Sequence, residues 1–412
     1  MFNRVVVTGL SGLTPIGNDL EKSWSNLLAG KSGVDRITRF DCSQYATQIA
    51  AEIKDLDITD FVPYKQAKRM DRFTRYAAAA AIMLMQDAGL EGTDLGAECG
   101  VLLGCGLGGL ETIEQFHSKL LQSGPKRISP FYIPLLISNM ASGQISIITG
   151  ARGPNLATTS ACASGLHAVG YAYSEIKLGR VKSMITGGVE STITPMAVSG
   201  FNAMRALSTR NDEPQKASRP FDRDRDGFVI GEGCGLLLLE SLDSALERGA
   251  EIYAEVVGFG ASADAYHMTA PEESGEGMAL AIKGALREAD IAPEEVDHVN
   301  AHGTSTYLND LCETRAIKKV FAEHSRNLSL TANKSMLGHM LGAAGGIESV
   351  FSVMTLKEGI IPGTINLENP DEECDLDYTP GRSREQEVRC VLCNSFGFGG
   401  TNASILFTGF EN

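Results

Sequence analysis

Residues 159–170 read TSACASGLHAVG, and Cys162 stands there among very small side chains at a strand-to-helix turn. The residues that follow, ASGLHAVGYAYSEIKLG, carry a small-residue face and stop at Lys-Leu-Gly, which predicts a helix starting at or beside Cys162. Free N–H groups and the helix dipole at such a terminus favour thiolate over thiol. Ala161, Ala163, Ser164 and Gly165 leave room for a substrate to approach the sulfur. Cys162 is therefore a candidate nucleophile. Free cysteine is also among the most frequently buried residue types, so plain packing is the competing reading.

Two of the seven histidines, His302 in NAHGTST and His339 in MLGHMLGAAGG, lie in glycine-flanked turns after apolar runs. A nucleophilic thiol needs a proton acceptor, and an acyl-transfer or enolate-forming site needs hydrogen-bond donors. Two histidines can supply both. Satisfaction of a buried polar group is the alternative for each, and it is the reading given to His117, His167, His298 and His324. Lys334 has the small-residue surroundings of a buried cation, with Glu348 as its counter-ion.

NSFGFGGTNAS (394–404) lies between the strand-like runs VRCVLC and ASILF. It has no GK[ST] continuation and no glycine pattern joining a strand to a helix with an acidic residue downstream, so a phosphate cradle is disfavoured. A tight turn that offers backbone N–H groups to an oxyanion fits better. Phe396 and Phe398 would wall such a site, with core packing equally open for Phe396.

These residues need a scaffold of short buried strands. Apolar runs that end in glycine and feed Ala-rich helical stretches recur along the chain, among them RVVVTGLSG, CGVLLGCGLGG, SMITGGVES and HVNAHGTST. Runs of this kind suit central strands of a layered α/β protein. Helices are predicted over 71–89, 277–290 and 308–323. A two-fold echo is visible: EIYAEVVGFGASAD restarts the pattern of RVVVTGLSG, and NKSMLGHMLGAAGGIESV resembles TSACASGLHAVGYAYSEI as an elbow entering a small-residue helix. Two similar halves meeting near residue 250 account for a length of 412 residues, which otherwise suggests roughly two to four domains.

A net charge of −15 disfavours general affinity for nucleic acid. Nine cysteines at irregular spacing argue against a disulfide framework, and Cys390 and Cys393 have no second pair and read as buried thiols on opposite faces of a strand, not as a zinc site. In residues 61–76, Lys65, Lys68, Arg69, Arg72 and Arg75 recur at helical spacing, giving either a solvated helix face or a docking patch for an acidic partner. The opening MFNRVVVTGLSG has no apolar signal core, and no apolar stretch approaches bilayer length. The expectation is a soluble cytoplasmic protein with no membrane partner.

Taken together, TSACASGLHAVG, PFDRDRDGFVIGEGCG, DAYHMTAP, VNAHGTST, NKSMLGHMLGAAGGIES and NSFGFGGTN resemble the β-ketoacyl-acyl carrier protein synthases, above all the elongating condensing enzymes of bacterial type II fatty-acid synthesis. The motifs stand in family order and span nearly the whole chain. The resemblance implies the thiolase fold, an α/β architecture of two similar halves in αβαβα layers. Residues 1–250 would form the half with the nucleophile and 251–412 the half with the two histidines. It implies a homodimer, acyl carrier protein as partner, and chemistry without metal or organic cofactor. Cys162 matches the nucleophile that carries the acyl chain. His302 and His339 match the pair that assists decarboxylation of the malonyl thioester and stabilises its enolate, with Lys334 ordering the site. The N–H groups of Cys162 and Phe398 would form an oxyanion hole, and the Phe398 ring would gate entry. Thr304 and Thr306 match pantetheine-binding positions, and Leu107 and Phe201 border the acyl pocket. Lys65, Lys68, Arg69, Lys126, Arg127 and Arg205 match the carrier-docking surface. One departure is Tyr307, where the family often has proline; Asp310 is kept.

The implied reaction is a ping-pong decarboxylative Claisen condensation of acyl-carrier thioester with malonyl-carrier thioester, giving a 3-oxoacyl thioester and CO2. A ketosynthase subunit of a type II polyketide system would keep the same residues and is the main rival. A thiolase would need a second cysteine in the glycine loop, where NSFGFGG has none, and a non-catalytic chain-length factor would lack Cys162.

Overall fold

The computed structural model describes residues 2–411. Its main sheet has ten strands: β1 (Val5–Leu13), β2 (Cys99–Gly104), β3 (Asn155–Thr158), β4 (Ser183–Glu190), β5 (Gly233–Ser241), β6 (Ala254–Ala263), β7 (His298–Asn300), β8 (Ser329–Thr331), β9 (Cys390–Gly397) and β10 (Thr401–Thr408). Their order is β3-β2-β4-β5-β1-β6-β10-β9-β7-β8. Counted outward from the β1–β6 junction, each half runs first, fifth, fourth, second, third. The directions repeat as well. β1–β5 and β5–β4 are antiparallel and β4–β2 and β2–β3 parallel, as are β6–β10, β10–β9, β9–β7 and β7–β8 in turn.

Helices fall at matching places in the two repeats: α1 (Arg72–Asp87), α2 (Met140–Thr149) and α3 (Ser164–Lys177), then α4 (Glu276–Ala289), α5 (Tyr307–Phe321) and α6 (Ala344–Glu358). α3 and α6 pack on each other and on strands of both halves, while α1 and α2 cover the outside of one half and α4 and α5 the outside of the other. This is the expected αβαβα layering. The three predicted helices are found within two residues of their expected ends.

The sequence explains the layers. Every residue of β1 and β5 is buried, because both faces of these strands are covered by helices. Asp71 caps α1 by accepting the Phe73 N–H at 3.4 Å, and the buried run Ala77–Ala81 lets that helix lie close to the sheet. Cys390 and Cys393 join separate hydrophobic clusters on the two faces of β9, both as free thiols, as their spacing predicts. No helix among the described residues is long and apolar enough to cross a membrane.

The centre is held open by glycine. A Cβ on Gly165 would lie 2.8 Å from the Gly342 carbonyl oxygen and the Gly346 nitrogen, and one on Gly346 would lie 2.3 Å from the Gly188 nitrogen. Both central helices are entered through elbows with a non-glycine residue in the left-handed region, Ala161 at φ +50° and Leu341 at φ +47°. Cys162 follows the first and Gly342 the second, so Gly342 occupies the seat that Cys162 holds in the other repeat. Replacing Gly346 with Val should abolish folding or cost at least about 3 kcal/mol, because backbone lies in the way on both sides; chemical denaturation of the purified variant checks this.

Candidate active site

Cys162 lies on the elbow between β3 and α3, His302 just beyond β7, and His339 on the elbow before α6. The repeat therefore delivers three loops to one point: Sγ of Cys162 and one ring nitrogen from each histidine lie within 4.8 Å of one another. The two imidazoles are nearly perpendicular, at 84°, with centroids 5.3 Å apart. They face a cavity of about 680 Å³ that is also lined by Leu107, Phe201, Thr304, Thr306 and Phe398. Each residue expected at the nucleophile, pantetheine and acyl positions thus lines one space.

Both histidines are held neutral. Burial and the Lys334 ammonium push their pKa values well below the usual imidazole range. The Leu341 N–H donates to Nδ1 of His339 at 3.2 Å, so the neutral ring carries its proton on Nε2, which has no partner among the described residues. His339 therefore presents a free N–H donor from a buried ring. The His302 and Gly303 N–H groups donate to the two carboxylate oxygens of Glu313, each at 2.8 Å, and this fixes the His302 loop on α5.

Lys334 and Glu348 form a buried ion pair, as their context predicts. Burial lifts the Glu348 carboxyl to about 7 while Lys334 pulls it down. Cys162 corrects an expectation. Its N–H and that of Phe398 do point at the sulfur, and Lys334 also favours thiolate, yet burial dominates and raises the thiol to about 11. The resting Cys162 is the thiol, beside two neutral imidazoles.

The glycine loop is a hairpin turn, Phe398-Gly399-Gly400, between β9 and β10. A Cβ on Gly397 would reach within 3.0 Å of the Cys162 nitrogen, so glycine is what lets the hairpin touch the elbow. The turn is tied to segment 264–272: the Asp264 N–H donates to the Gly400 carbonyl at 2.9 Å, the Gly399 N–H to that of Met268 at 2.7 Å, and Asn402 Nδ2 to Asp264 Oδ1 at 2.7 Å. Phe396 is buried, packing in the core and against His302, and it also lines the cavity, so it is a core residue that walls the site.

Thr304 and Thr306 share a hydrogen bond of 2.8 Å. Their loop is clamped by Arg225, which donates to the Thr306 and Tyr307 carbonyls at 3.3 and 3.0 Å and to Asp371 at 2.8 Å, with Asp310 at 3.6 Å. The exposed Tyr307 ring stacks over this guanidinium, 5.1 Å from its centre. Arg225, Asp264, Glu313 and Glu190 are site-building residues that sequence reasoning missed. Arg225 and Asp264 lie inside quoted motifs, but nothing local marks Glu313 as the partner of a backbone eleven residues upstream.

The basic segment is two pieces and not one face. A short helix over Tyr64–Ala67 ends before the Asp71 cap starts α1. Arg72 is bound to Glu111 and Arg75 to the Ala67 and Met70 carbonyls, while Lys65, Lys68 and Arg69 remain exposed. The Arg69 guanidinium stacks on Phe131, 4.8 Å from its centroid, which draws the exposed Lys126 and Arg127 segment beside it. Arg205 is exposed at the cavity. Of the histidines given a structural reading, His167, His298 and His324 bond Ser160 Oγ, the Ser329 carbonyl and the Val296 carbonyl. His117 is exposed on the surface and satisfies no buried group.

The family model for the beta-ketoacyl synthase N-terminal domain matches residues 2–245, and that for the C-terminal domain matches residues 253–368. The chain belongs to the beta-ketoacyl synthase family. It is 52% identical to 3-oxoacyl-[acyl-carrier-protein] synthase 2 of Synechocystis sp., covering 99% of this chain and 98% of the relative, and 49% identical to the protein of that name from Staphylococcus aureus, covering 99% of each. Among solved structures, a beta-ketoacyl synthase from Burkholderia phymatum superimposes with a TM-score of 0.93 at 35% identity, covering 99% of this chain and all of that one. A type II polyketide acyl-carrier protein in complex with its ketosynthase gives 0.90 at 33%, covering both chains fully.

Two stability predictions follow from the buried charges. Replacing Lys334 with Met or Glu348 with Leu alone should cost about 3–5 kcal/mol, and the double variant should recover most of that loss, because one unpaired buried charge is worse than none. Urea melts of the three variants decide this. Burial also raises the Glu313 carboxyl to about 7. A carboxyl with a higher pKa when folded stabilises fully below its ordinary value near 4.5 and loses that contribution as pH rises through 7. Glu313→Gln should therefore flatten the rise in denaturation midpoint between pH 7 and 4.5, even where the variant is less stable throughout.

Proposed function

We propose that this chain is a 3-oxoacyl-acyl carrier protein synthase that elongates fatty acyl chains in the cytosol by condensation with a malonyl thioester. The observation that carries this reading is the meeting of Cys162, His302 and His339 at one cavity of about 680 Å³ that Leu107, Phe201, Thr304 and Thr306 also line. In the first half-reaction the Cys162 sulfur attacks the acyl thioester. The new S–C bond replaces the pantetheine S–C bond, and the Cys162 proton ends on the departing pantetheine sulfur. The N–H groups of Cys162 and Phe398 hold the tetrahedral oxyanion.

In the second half-reaction the malonyl thioester carbonyl accepts hydrogen bonds from the neutral imidazoles of His302 and His339. Loss of CO2 leaves an enolate at that carbonyl, and its carbon attacks the Cys162 thioester. The product is the 3-oxoacyl thioester, and the released Cys162 thiolate takes up a proton. Lys334 favours both anions from its pair with Glu348. Thr304 and Thr306 bind the pantetheine arm, Leu107 and Phe201 border the acyl chain, and the Phe398 ring gates malonyl entry. A structure with neutral donors and no free acid at the enolate suits decarboxylation, since premature protonation is avoided.

Lys65, Lys68, Arg69, Lys126, Arg127 and Arg205 form the docking surface for the acidic carrier protein. Among the described residues none of the six is in an ion pair, which leaves their charge available to a partner. The repeat supports dividing the chain into residues 1–250 and 251–412. The chain acts as a homodimer through the open edge of β3, where Leu156 is 55% exposed and Ile147 of the adjoining α2 74%. Identities of 52% and 49% with proteins named 3-oxoacyl-[acyl-carrier-protein] synthase 2, against 33% with the type II polyketide ketosynthase, favour the elongating reading.

Intact mass after incubation with acyl-carrier thioesters should show an acyl adduct that is absent from Cys162→Ala and that disappears when malonyl-carrier is added and 3-oxoacyl-carrier forms. No adduct with any fatty acyl chain would favour the polyketide reading. Charge reversal of Lys65, Lys68 and Arg69 together should raise KM for acyl-carrier about tenfold, with kcat little changed and a weaker salt dependence.

A further inference from the structure

Glu190 ends β4 fully buried beside the cavity and has no role in the reaction as derived above. Among the described residues no cation pairs with it. Its Oε2 accepts the N–H of Gly106 at 2.7 Å and that of Gly342 at 3.2 Å, while Oε1 accepts the N–H of Gly108 at 3.2 Å. The Leu107 N–H bridges both oxygens at 3.2 Å, and the Cys105 thiol lies 3.7 Å from Oε1. Four backbone donors converge on one carboxylate from two directions: three from the loop after β2, and one from the elbow of the other repeat.

All four backbone groups on this carboxyl are donors; burial, the largest effect, raises its pKa, while these four N–H groups pull it back down. Gly106 and Gly342 must be glycine for this contact to exist, since a Cβ on either would lie 2.7 Å from Oε2. The loop so held carries Leu107, whose side chain lines the cavity. Loops without regular structure are otherwise among the more mobile parts of a fold.

We propose that Glu190 is a positioning residue for acyl-chain selection, fixing the Leu107 segment against the Gly342 elbow so that the acyl pocket keeps one shape. The proposal rests on the condensing-enzyme reading. Its substrate is the acyl chain, and Glu190 acts on it only through the backbone it holds. Loss of the carboxylate frees Leu107 to move, and the pocket then distinguishes chain lengths less sharply. A pocket contact of one methylene is worth roughly tenfold or more in rate, which sets the size of the effect.

The experiment measures the rate of Cys162 acylation by intact mass for a panel from hexanoyl- to hexadecanoyl-carrier. Glu190→Gln is nearly isosteric but turns an amide NH2 toward backbone N–H groups. Gly106→Ala keeps the charge and pushes a methyl against Oε2. Both variants should flatten the chain-length profile, lowering the ratio of best to worst substrate about tenfold. A purely structural role would instead lower all chain lengths in proportion to the folded fraction. A folded variant with the wild-type profile overturns the proposal.

Hydrogen exchange on the wild-type protein gives a reading that needs no variant. The amides of Gly106, Leu107 and Gly108 should exchange as slowly as those of β2, and exchange at loop rates overturns the proposal. A wild-type protein that takes no acyl chain from the panel, while its Gly106–Gly108 amides are protected, would count against the condensing-enzyme reading and not against the contacts of Glu190.

Discussion

Backbone meets backbone at the middle of this molecule. Gly104, Gly165, Gly188, Gly342 and Gly346 bring two helix entrances and two strands together with no side chain between them. That contact fixes how far apart the two elbows stand, and hence how far the Cys162 sulfur lies from the His339 ring. A catalytic distance set by side-chain packing would drift with every core substitution. Here it is set by van der Waals contact of main chains, the least adjustable spacing a protein has.

Closeness of this kind buries the ionisable groups, and burial governs their electrostatics. Two imidazoles buried together beside an ammonium stay neutral, and a thiol nearby keeps its proton. The same burial that penalises a resting charge strengthens each hydrogen bond to a transient one. Lys334, with Glu348 behind it, is the fixed positive charge in the group. It works against the histidines becoming cations and in favour of any anion formed at sulfur or enolate. One buried pair thus biases three groups in the directions the reaction needs.

Much of this was legible in the sequence because the informative features are local. An elbow is a few small residues followed by a helix, so Cys162 and His339 could be placed at helix entrances from TSACASG and LGHMLGAAGG alone. The Lys334–Glu348 pair was readable from context, and strands buried on both faces announced themselves as unbroken apolar runs. What was not legible depends on tertiary distance. Glu190 and Glu313 bind main-chain N–H groups, which leave no trace in the identity of their partners. The weight of burial against helix dipole at Cys162 is likewise a property of the assembled site. The run of positive charges at 61–76 kept a helical spacing that the Asp71 cap interrupts, and Arg72 found Glu111 from another helix.

The repeat has a further consequence. Fold symmetry supplies two seats of the same shape, one at residue 162 and one at residue 342, yet only the first holds a reactive side chain. A β-carbon at 342 would stand 2.3 Å from the Gly106 nitrogen. The second seat is thus stopped up by its neighbour's main chain, and the room it would have offered is used as a joint between the repeats. The molecule is a duplicated frame in which one elbow presents a thiol to the cavity and its twin serves as a joint.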